Sequence, residues 1–367
     1  MAFNNTKKNV SIFEDSSFSA LGGGQVVTLS VARFFKEAGY HVTVCDHKVG
    51  GIFHDKVAQH MDRHVHLYGR LKRRSSGQHA SNRPPLIQNS LYFILFLINV
   101  TLFVLKNRKD KTDIYYSATR HSHIFVFCIN IFRKRRWIAH VHSNEKRPFL
   151  KKVMRFIFMK ADKVLFVSNY LKDFYKLPTG YVIYNPVDEI GQKKKSWQKE
   201  TQLSVGFVGN LLEWKGINYF LAACADLNQN KTDIFSFNVF GGGNNIGELR
   251  EKFPFVNFSG VTPRREIYQN IDVLVLPSID AESCPMAILE ALKFDIVCIT
   301  TNFGGQQELV DYFGGITIKP FSHLEITNAI LHAKENYTDI KKSLKKTHEI
   351  FGFKEYATKL GILLDEY

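Results

Sequence analysis

The chain has few cysteines, and none is spaced as a paired or metal-binding cysteine would be. Cys45, Cys128, Cys224, Cys284 and Cys298 form no CxxC, and each sits in or beside an apolar run. They read as buried, reduced thiols, which argues against a disulfide scaffold and against cysteine zinc sites. The opening "MAFNNTKKNVSIFED" lacks an apolar core of signal-peptide length and a small-residue cleavage site, so secretion is not expected. A long uninterrupted apolar run is also missing. The nearest approach, "LIQNSLYFILFLINVTLFVL" from Leu86 to Leu105, is broken by Gln88, Asn89, Asn99 and Thr101. It reads as a buried or interface-facing helix, because a span needs roughly 20 predominantly apolar residues. Acidic residues are scarce in the first half only. Residues 1–184 hold 30 Lys+Arg against 11 Asp+Glu, whereas residues 185–367 hold 19 against 23. The net charge of +15 is therefore concentrated on one half, which is expected to face something anionic.

What is present is an ordinary globular composition, 45% hydrophobic and 23% charged, over 367 residues. That length exceeds what one core usually supports, so two α/β domains are expected. The run "NVSIFEDSS", the turn Gly22-Gly23-Gly24, a helix carrying Val26, Leu29, Ala32, Phe35 and Ala38, and then "HVTVCD" make a βαβ unit. Residues 69–85, "GRLKRRSSGQHASNRPP", are basic, without period, and read as a mobile surface loop. The β-rich runs "TDIYYSA", "RRWIAHVHS" and "ADKVLFVSN" alternate with helical segments, as strands of a parallel sheet do. After "YVIYNPVDE" a Lys-rich polar stretch reads as a linker, over residues 185–200. The second domain is read from strands "LSVGFVGN", "FSFNVFGGG", "VNFSG", "VLVLPS" and "IVCITT". Helices are expected at 216–228, 246–253, 264–270 and 285–293.

Chemistry concentrates in "AESCPMAILEALKFD". Pro285 suits the first turn of a helix running to about Lys293, with Glu282 in the loop before it and Glu290 on it. Free N–H groups at such a helix start suit a diphosphate or sugar hydroxyls, and a carboxylate suits a ribose diol. Taken alone, two glutamates with seven residues between them are more often ordinary helix and cap acids. Their context argues otherwise. Upstream, "VGFVGNLLEWKGINYF" is a strand, a turn with Gly209 and Gly216, and a helix beginning near Lys215. Downstream, "TTNFGGQQELV" is a strand followed by Gly304 and Gly305. Gly209, Lys215, Glu282 and Gly304 all lie just after strands, where ligands of open α/β sheets bind.

With these residues in view, the chain resembles glycosyltransferase family 4, the retaining nucleotide-sugar enzymes. The matching segments, in the family's order, are "GGGQ", "FVSNYLKDFY", "VIYNPVD", "GFVGNLLEWKG", "VNFSGV", "IDVLVLPSIDAESCPMAILEAL" and "GGQQELV". The resemblance implies an α/β fold of GT-B architecture, two Rossmann-like domains facing a central cleft. Residues 1–184 would bind the acceptor and 201–340 the nucleotide sugar, while helices in 341–367 would pack back toward the first domain. It further implies that Glu290 binds the donor ribose, that Glu282 sits by the transferring sugar, and that Lys215 holds the diphosphate. Gly209, Asn210, Val261, Gly304, Gly305 and the backbone of Cys284, Pro285 and Met286 would line the donor site. Gly23 and Gly24 would approach phosphates or acceptor from the other domain. No metal or other cofactor is implied, a UDP-sugar being the favoured co-substrate; the chain has no D-x-D clamp. The family's usual Arg beside the diphosphate is replaced by Asn210, which shifts the leaving-group role toward Lys215 or another cation such as Arg264 or Arg265.

In "AHVHSNE", His140 and His142 alternate and are expected on opposite faces or at different burial. The family often places a functional His at this strand end, so His142 is expected near the acceptor hydroxyl. His121 and His123 lack metal-ligand spacing and read as surface or core. The basic run "FRKRRW", from Phe132 to Trp137, suits an anionic membrane face together with the apolar helix and the basic loop. No nucleic-acid-binding signature occurs. The expected setting is cytoplasmic, peripheral on the inner face of the plasma membrane, acting on a glycan or lipid-linked acceptor of a bacterial-type surface polysaccharide or lipopolysaccharide. The competing readings are a sugar-nucleotide epimerase, a phosphorylase of the same fold, and a non-catalytic sugar-nucleotide or nucleic-acid binding module.

Overall fold

A computed structural model describes residues 8–15, 22–46, 51–67, 86–107, 111–187, 197–198, 201–230, 234–243, 245–345 and 350–365. The expected basic loop at 69–85 and most of the expected linker lie outside the described residues. The chain divides into two compact units, Met1–Phe166 with Lys172–Val182, and Val167–Leu171 with Ile183–Tyr367. The linker stretch begins as structure of the second unit, because Asn185, Pro186 and Val187 are buried and Val187 N–H donates to the Phe351 carbonyl at 2.7 Å.

Unit 1 is a seven-stranded sheet of β1 (Asn9–Phe13), β2 (His41–Asp46), β3 (Arg63–His66), β4 (Ile114–Ser117), β5 (Arg136–Val141), β6 (Lys163–Phe166) and β7 (Tyr181–Val182). Every pairing is parallel, and the order is β3-β2-β1-β4-β5-β6-β7. Its helices are α1 (Gly23–Glu37), α2 (Ile52–Val57), α3 (Leu86–Lys106), α4 (Arg120–Arg133) and α5 (Pro148–Phe158). α6 (Asn169–Tyr175) follows β6, with Asn169–Leu171 belonging to the second unit and Lys172–Tyr175 to the first. Right-handed crossovers explain the layering. The chain moves one way from β1 to β3 and the other way from β3 through β4 to β7, so α3, α4 and α5 lie on the same face of the sheet. Phe13 of β1, Phe103 of α3, Tyr115 of β4 and Phe125 of α4 form an aromatic cluster in the core, with ring centroids 5.4–5.8 Å apart. Burying each such ring stabilises the fold by roughly 1.5–3 kcal/mol. Leu86–Leu105 is helical as expected; among the described residues no helix is long and apolar enough to cross a membrane.

Unit 2 repeats the plan with β8 (Leu203–Val208), β9 (Phe235–Phe240), β10 (Val256–Gly260), β11 (Val273–Leu276), β12 (Val297–Thr301) and β13 (Ile316–Ile318), parallel in the order β10-β9-β8-β11-β12-β13. The helices are α7 (Ile217–Asn230), α8 (Ile246–Lys252), α9 (Arg264–Asn270), α10 (Met286–Lys293), α11 (Gly304–Phe313), α12 (His323–Glu335), α13 (Tyr337–Ser343) and α14 (Phe353–Asp365). Strands β11 and β12 are buried along their whole length, which is why they read as continuous apolar runs. In each unit the strand order reverses beside the first strand, between β1 and β4 and between β8 and β11. Ligands of such sheets bind outside the carboxyl ends of the strands at that point.

Candidate active site

At the β8/β11 reversal two turns meet. The turn after β8 ends in a short 3₁₀ segment, Glu213–Lys215, and in Gly216 at φ +77°. A Cβ on Gly216 would stand 2.0 Å from the Pro277 carbonyl oxygen, so only glycine lets this turn rest on the one after β11. That close approach delivers Lys215 to Glu282. Lys215 Nζ lies 2.5 Å from Glu282 Oε2, and Ser278 Oγ donates to Glu282 Oε1 at 2.5 Å. The lysine and glutamate side chains are only 17% and 10% exposed, so water screens the pair weakly. Lys215 also sits 4.5 Å over the ring of Trp214. The helix at this turn begins at Ile217, two residues later than the expected start near Lys215.

Glu282 is fixed through its main chain as well. Its N–H donates to Gln306 Oε1 at 2.8 Å, and its carbonyl accepts from Gly305 N–H at 2.7 Å. Gln306 is fully buried and returns Nε2 to the Asp280 carbonyl at 3.2 Å. The first turn of α11 therefore clamps the loop that carries Glu282. A Cβ on Gly305 would stand 1.8 Å from the Ser283 carbonyl oxygen. Gly305→Ala is expected to cost about 2–3 kcal/mol by forcing the two backbones apart. A denaturant titration that finds a loss under about 0.5 kcal/mol would show that the loop is not clamped.

Glu290 lies on α10 and is 5% exposed. Tyr268 OH donates to its Oε2 at 2.8 Å, and Arg264 Nε reaches its Oε1 at 3.0 Å. Burial, with the carboxylate alongside, pushes the Tyr268 hydroxyl well above its ordinary pKa, so it stays a donor. Each carboxylate oxygen has a second lone pair, and Glu290 can still accept from a diol. Arg264, expected as a stand-in cation for the diphosphate, instead meets Glu290. Pro285 is the N-cap residue of α10, which runs from Met286 to Lys293. The Cys284 carbonyl accepts from Asn185 Nδ2 at 3.1 Å, and burial pushes the Cys284 thiol up to about 12, so it is inert. Asn210 is exposed after β8, Val261 is 90% exposed after β10, and Gly304 opens α11. Ser278, Gln306, Tyr268 and Asn185 escaped the sequence reading. Gln306 had a signal. Gln306, Leu309, Val310 and Phe313 recur at helical spacing, and that stripe is the buried one.

Glu308, also on α11, gathers a further set. Its Oε1 accepts from Asn169 N–H and Nδ2, both at 2.9 Å, and from Tyr184 OH at 2.7 Å. Its Oε2 accepts from Tyr170 N–H at 2.6 Å. The carboxylate thereby satisfies two N–H groups at the start of α6.

In unit 1 a cavity of about 280 Å³ opens at the carboxyl ends of β4 and β5, lined by Arg120, His121, His142, Ser143 and Asn144 over a floor that includes Met154, Phe158 and Tyr175. His142 follows β5 directly. Both its ring nitrogens are buried without a hydrogen-bond partner, and burial pushes its pKa down to about 4. A Cβ on Gly24, at the start of α1 beside Gly23, would be 3.8 Å from the His142 ring. His140 and His142 do not lie on opposite faces: their rings stand 4.2 Å apart, because residues two apart along a strand share a face. They differ in burial as expected, His140 being fully buried and His142 half-buried. His140 is held by Tyr116 OH at 2.6 Å and His123 by Ser117 Oγ at 2.8 Å, which makes both of them core residues. His121 is a surface residue as expected, and its Nδ1 lies 3.1 Å from Asp15 Oδ2, across the β1/β4 reversal. At the rim, Arg147 and Arg120 hold the Glu145 carboxyl down to about 2.

Two family models cover most of the chain. "Glycosyltransferase Family 4" matches residues 21–189, and "Glycosyl transferases group 1" matches residues 189–350. An uncharacterised glycosyltransferase of Methanocaldococcus jannaschii is 24% identical over 278 residues, covering 67% of this chain and 69% of that protein. The Campylobacter jejuni GalNAc-alpha-(1->4)-GalNAc-alpha-(1->3)-diNAcBac-PP-undecaprenol alpha-1,4-N-acetyl-D-galactosaminyltransferase is 30% identical over 221 residues, 55% of this chain and 59% of that protein. Among solved structures, Anabaena HepE in complex with UDP-glucose shares the fold, with a TM-score of 0.75 at 16% identity over 98% of this chain and 100% of that one.

Proposed function

We infer the reaction from one premise: the chain belongs to the group 1/family 4 glycosyltransferases, with the GT-B fold, and is a nucleotide-sugar glycosyltransferase. We propose that it retains anomeric configuration, takes a UDP-sugar, needs no metal, and extends a lipid-linked glycan destined for a surface polysaccharide or lipopolysaccharide. In this reading unit 2 takes the donor. Glu290, held by Tyr268 and Arg264, accepts the ribose hydroxyls. Lys215 meets the diphosphate and the charge that grows on it as the sugar departs. Glu282, held by Ser278 and by the first turn of α11, faces the sugar, with Gly209, Asn210, Val261, Gly304, Gly305 and the Cys284–Met286 backbone around the donor. Unit 1 takes the acceptor. His142, neutral at pH 7 and without an internal partner, accepts the hydrogen bond of the attacking hydroxyl, with Gly23 and Gly24 beside it. A pKa near 4 makes it an orienting group more than a strong base. The enzyme works on the cytoplasmic side of an anionic membrane.

The observation that carries the donor assignment is the pair of anchored carboxylates, Glu282 on Lys215 and Glu290 on Arg264, in the loop and helix that follow β11, where the strand order reverses. The test is a thermal-shift panel of UDP-, GDP-, ADP- and TDP-sugars on the wild type and on Glu290→Ala. One series, expected to be UDP, should raise Tm by an amount that grows with ligand excess, and the shift should vanish in the variant. No shift with any sugar nucleotide would overturn the reading. New sugar nucleotide formed without acceptor would mark an epimerase instead.

A further inference from the structure

The surface of unit 1 made by α3, α4 and α5 carries a combination that the proposed reaction leaves unused. These helices pack side by side on one face of the sheet. Arg133 of α4 donates to the Val104 carbonyl of α3 at 2.5 Å, and the rings of Phe127 on α4 and Phe156 on α5 are 6.1 Å apart. None of the three contains a single Asp or Glu. Nine of the seventeen large hydrophobic side chains exposed on the described surface lie on them or on Met159, which caps α5. Chance scatter over both units would not gather them on one layer.

The geometry of α5 is the most telling. Its inner side, with Met154, Ile157 and Phe158, is buried in the unit. Phe149, Lys152, Phe156 and Met159 recur at i, i+3, i+7 and i+10 on the outer side, and Phe149 is 75% exposed. Lys160 Nζ rests 5.4 Å over the Phe156 ring, at the end of the same stripe. α5 is thus apolar on two sides, one side satisfied by the core and the other alternating aromatic and cationic groups toward solvent. On α3 the outer stripe is Ile94, Leu97, Ile98 and Leu105. α4 ends in Ile131 and Phe132, the latter 68% exposed, followed by the exposed Lys134.

We propose that the outer face of α3, α4 and α5 is a docking surface for an anionic lipid bilayer, with Phe149, Phe156 and Phe132 entering the headgroup boundary and Lys134, Lys152 and Lys160 meeting lipid phosphates. Exposed apolar side chains rimmed by cations, with no acidic residue among them, match the interfacial helix pattern. Two copies of this chain meeting through the same face would bring like charges together, so charge complementarity selects the lipid. The purpose of the surface rests on the reading that the acceptor is carried on lipid. It extends that reading from a general basic half to three named helices, of which α5 had no part in the sequence expectation.

The test is vesicle flotation of the full chain at low salt, with phosphatidylcholine vesicles and with phosphatidylglycerol/phosphatidylcholine vesicles, for the wild type, Phe149→Ala/Phe156→Ala and Lys152→Glu/Lys160→Glu. The wild type should partition to the anionic vesicles and be released by salt. The charge variant should lose at least twenty-fold, since each cation near such a surface is worth roughly fivefold. The aromatic variant should lose at least tenfold on the same vesicles. The UDP-sugar thermal shift is run on the same samples. An unchanged shift shows that the variants are folded, and it separates failure of the surface from failure of the donor assignment. Wild type that stays unbound, that floats equally with neutral vesicles, or that binds as well after both double substitutions would overturn the proposal. So would wild type that dimerises in sedimentation velocity through Phe149 and Phe156 without floating.

Discussion

Lys215→Ala is expected to lower kcat by about a thousandfold while the ribose end of the donor still binds at Glu290. The magnitude follows from where the charge sits. Removing one preorganised donor aimed at developing negative charge costs roughly 10²–10³ in rate, and a full cation in a weakly screened position lies at the upper end. In the proposed reaction Lys215 is such a cation, and it is 17% exposed, seated over Trp214, and directed by the Gly216 turn. Where the family resemblance expects a second cation the chain has the uncharged, exposed Asn210, and Arg264 is committed to Glu290. The substitution also strips Glu282 of its counter-ion, which destabilises the loop and would mimic a catalytic loss. Lys215→Ala/Glu282→Gln separates the two effects. It removes the orphaned charge, so its Tm should recover most of what Lys215→Ala loses, while kcat stays low. A single variant that keeps more than a tenth of wild-type kcat would remove Lys215 from the leaving-group role.

The elements and residues that were legible in the sequence share a cause. In unit 2, Gly or Pro marks most of the connections, and α8, α9 and α10 fall within a residue of their expected bounds at 246–253, 264–270 and 285–293. The pieces that went unread are short. β3 has four residues and β13 three, both at sheet edges, and α2 has six, too few for either period to declare itself. Partnerships were less legible than elements. The strands, turns and glycines around Glu282 and Glu290 mark them as a pair, but nothing local says that Gln306 or Tyr268 will hold them, since those contacts span 24 and 22 residues. The run from Phe132 to Trp137 shows how tertiary structure divides a patch that looks uniform. Phe132 and Lys134 face solvent, Arg133 turns back onto α3, Asn130 accepts the Arg135 N–H at 2.7 Å, and Trp137 is fully buried in β5. The same limit hid α5. Its outer aromatic stripe and its inner apolar stripe are indistinguishable until the sheet shows which one is covered.

Glu14→Gln is expected to make the protein more stable than the wild type at pH 8, by up to about 3 kcal/mol, and to leave it nearly unchanged at pH 4.5. Glu14 follows β1 and is 2% exposed. Burial raises its pKa from 4.5 to about 7, against the opposing hydrogen bonds from Thr28 Oγ1 at 2.6 Å and the Asp15 N–H at 3.0 Å; the carboxylates of Asp46 and Asp15 add to the rise. Because the folded-state pKa lies above the unfolded value, the native state binds a proton between about 4.5 and 7 that the unfolded chain has released. Stability from this group is therefore greatest below about pH 4.5 and is lost as pH rises through about 7. The full difference is 2.5 pKa units, which at 1.36 kcal/mol per unit gives about 3 kcal/mol. Glu145, held down to about 2 by its arginines, has the opposite sign, its contribution being lost only in strong acid. The measurement is the difference in unfolding free energy between wild type and variant across pH 4.5–8.5, in which every shared group cancels. A difference that does not change with pH would show that Glu14 titrates normally. If it follows the expected curve, the consequence reaches α1. The Thr28 hydroxyl that donates to Glu14 belongs to the helix that begins at Gly23 and Gly24, and Thr28 also donates to the Gly24 carbonyl at 3.2 Å. Ionising Glu14 strengthens its pull on that hydroxyl at the Gly24 carbonyl's expense. The glycine turn beside His142 would then be tuned by pH close to neutrality, above the range in which ordinary surface carboxylates titrate.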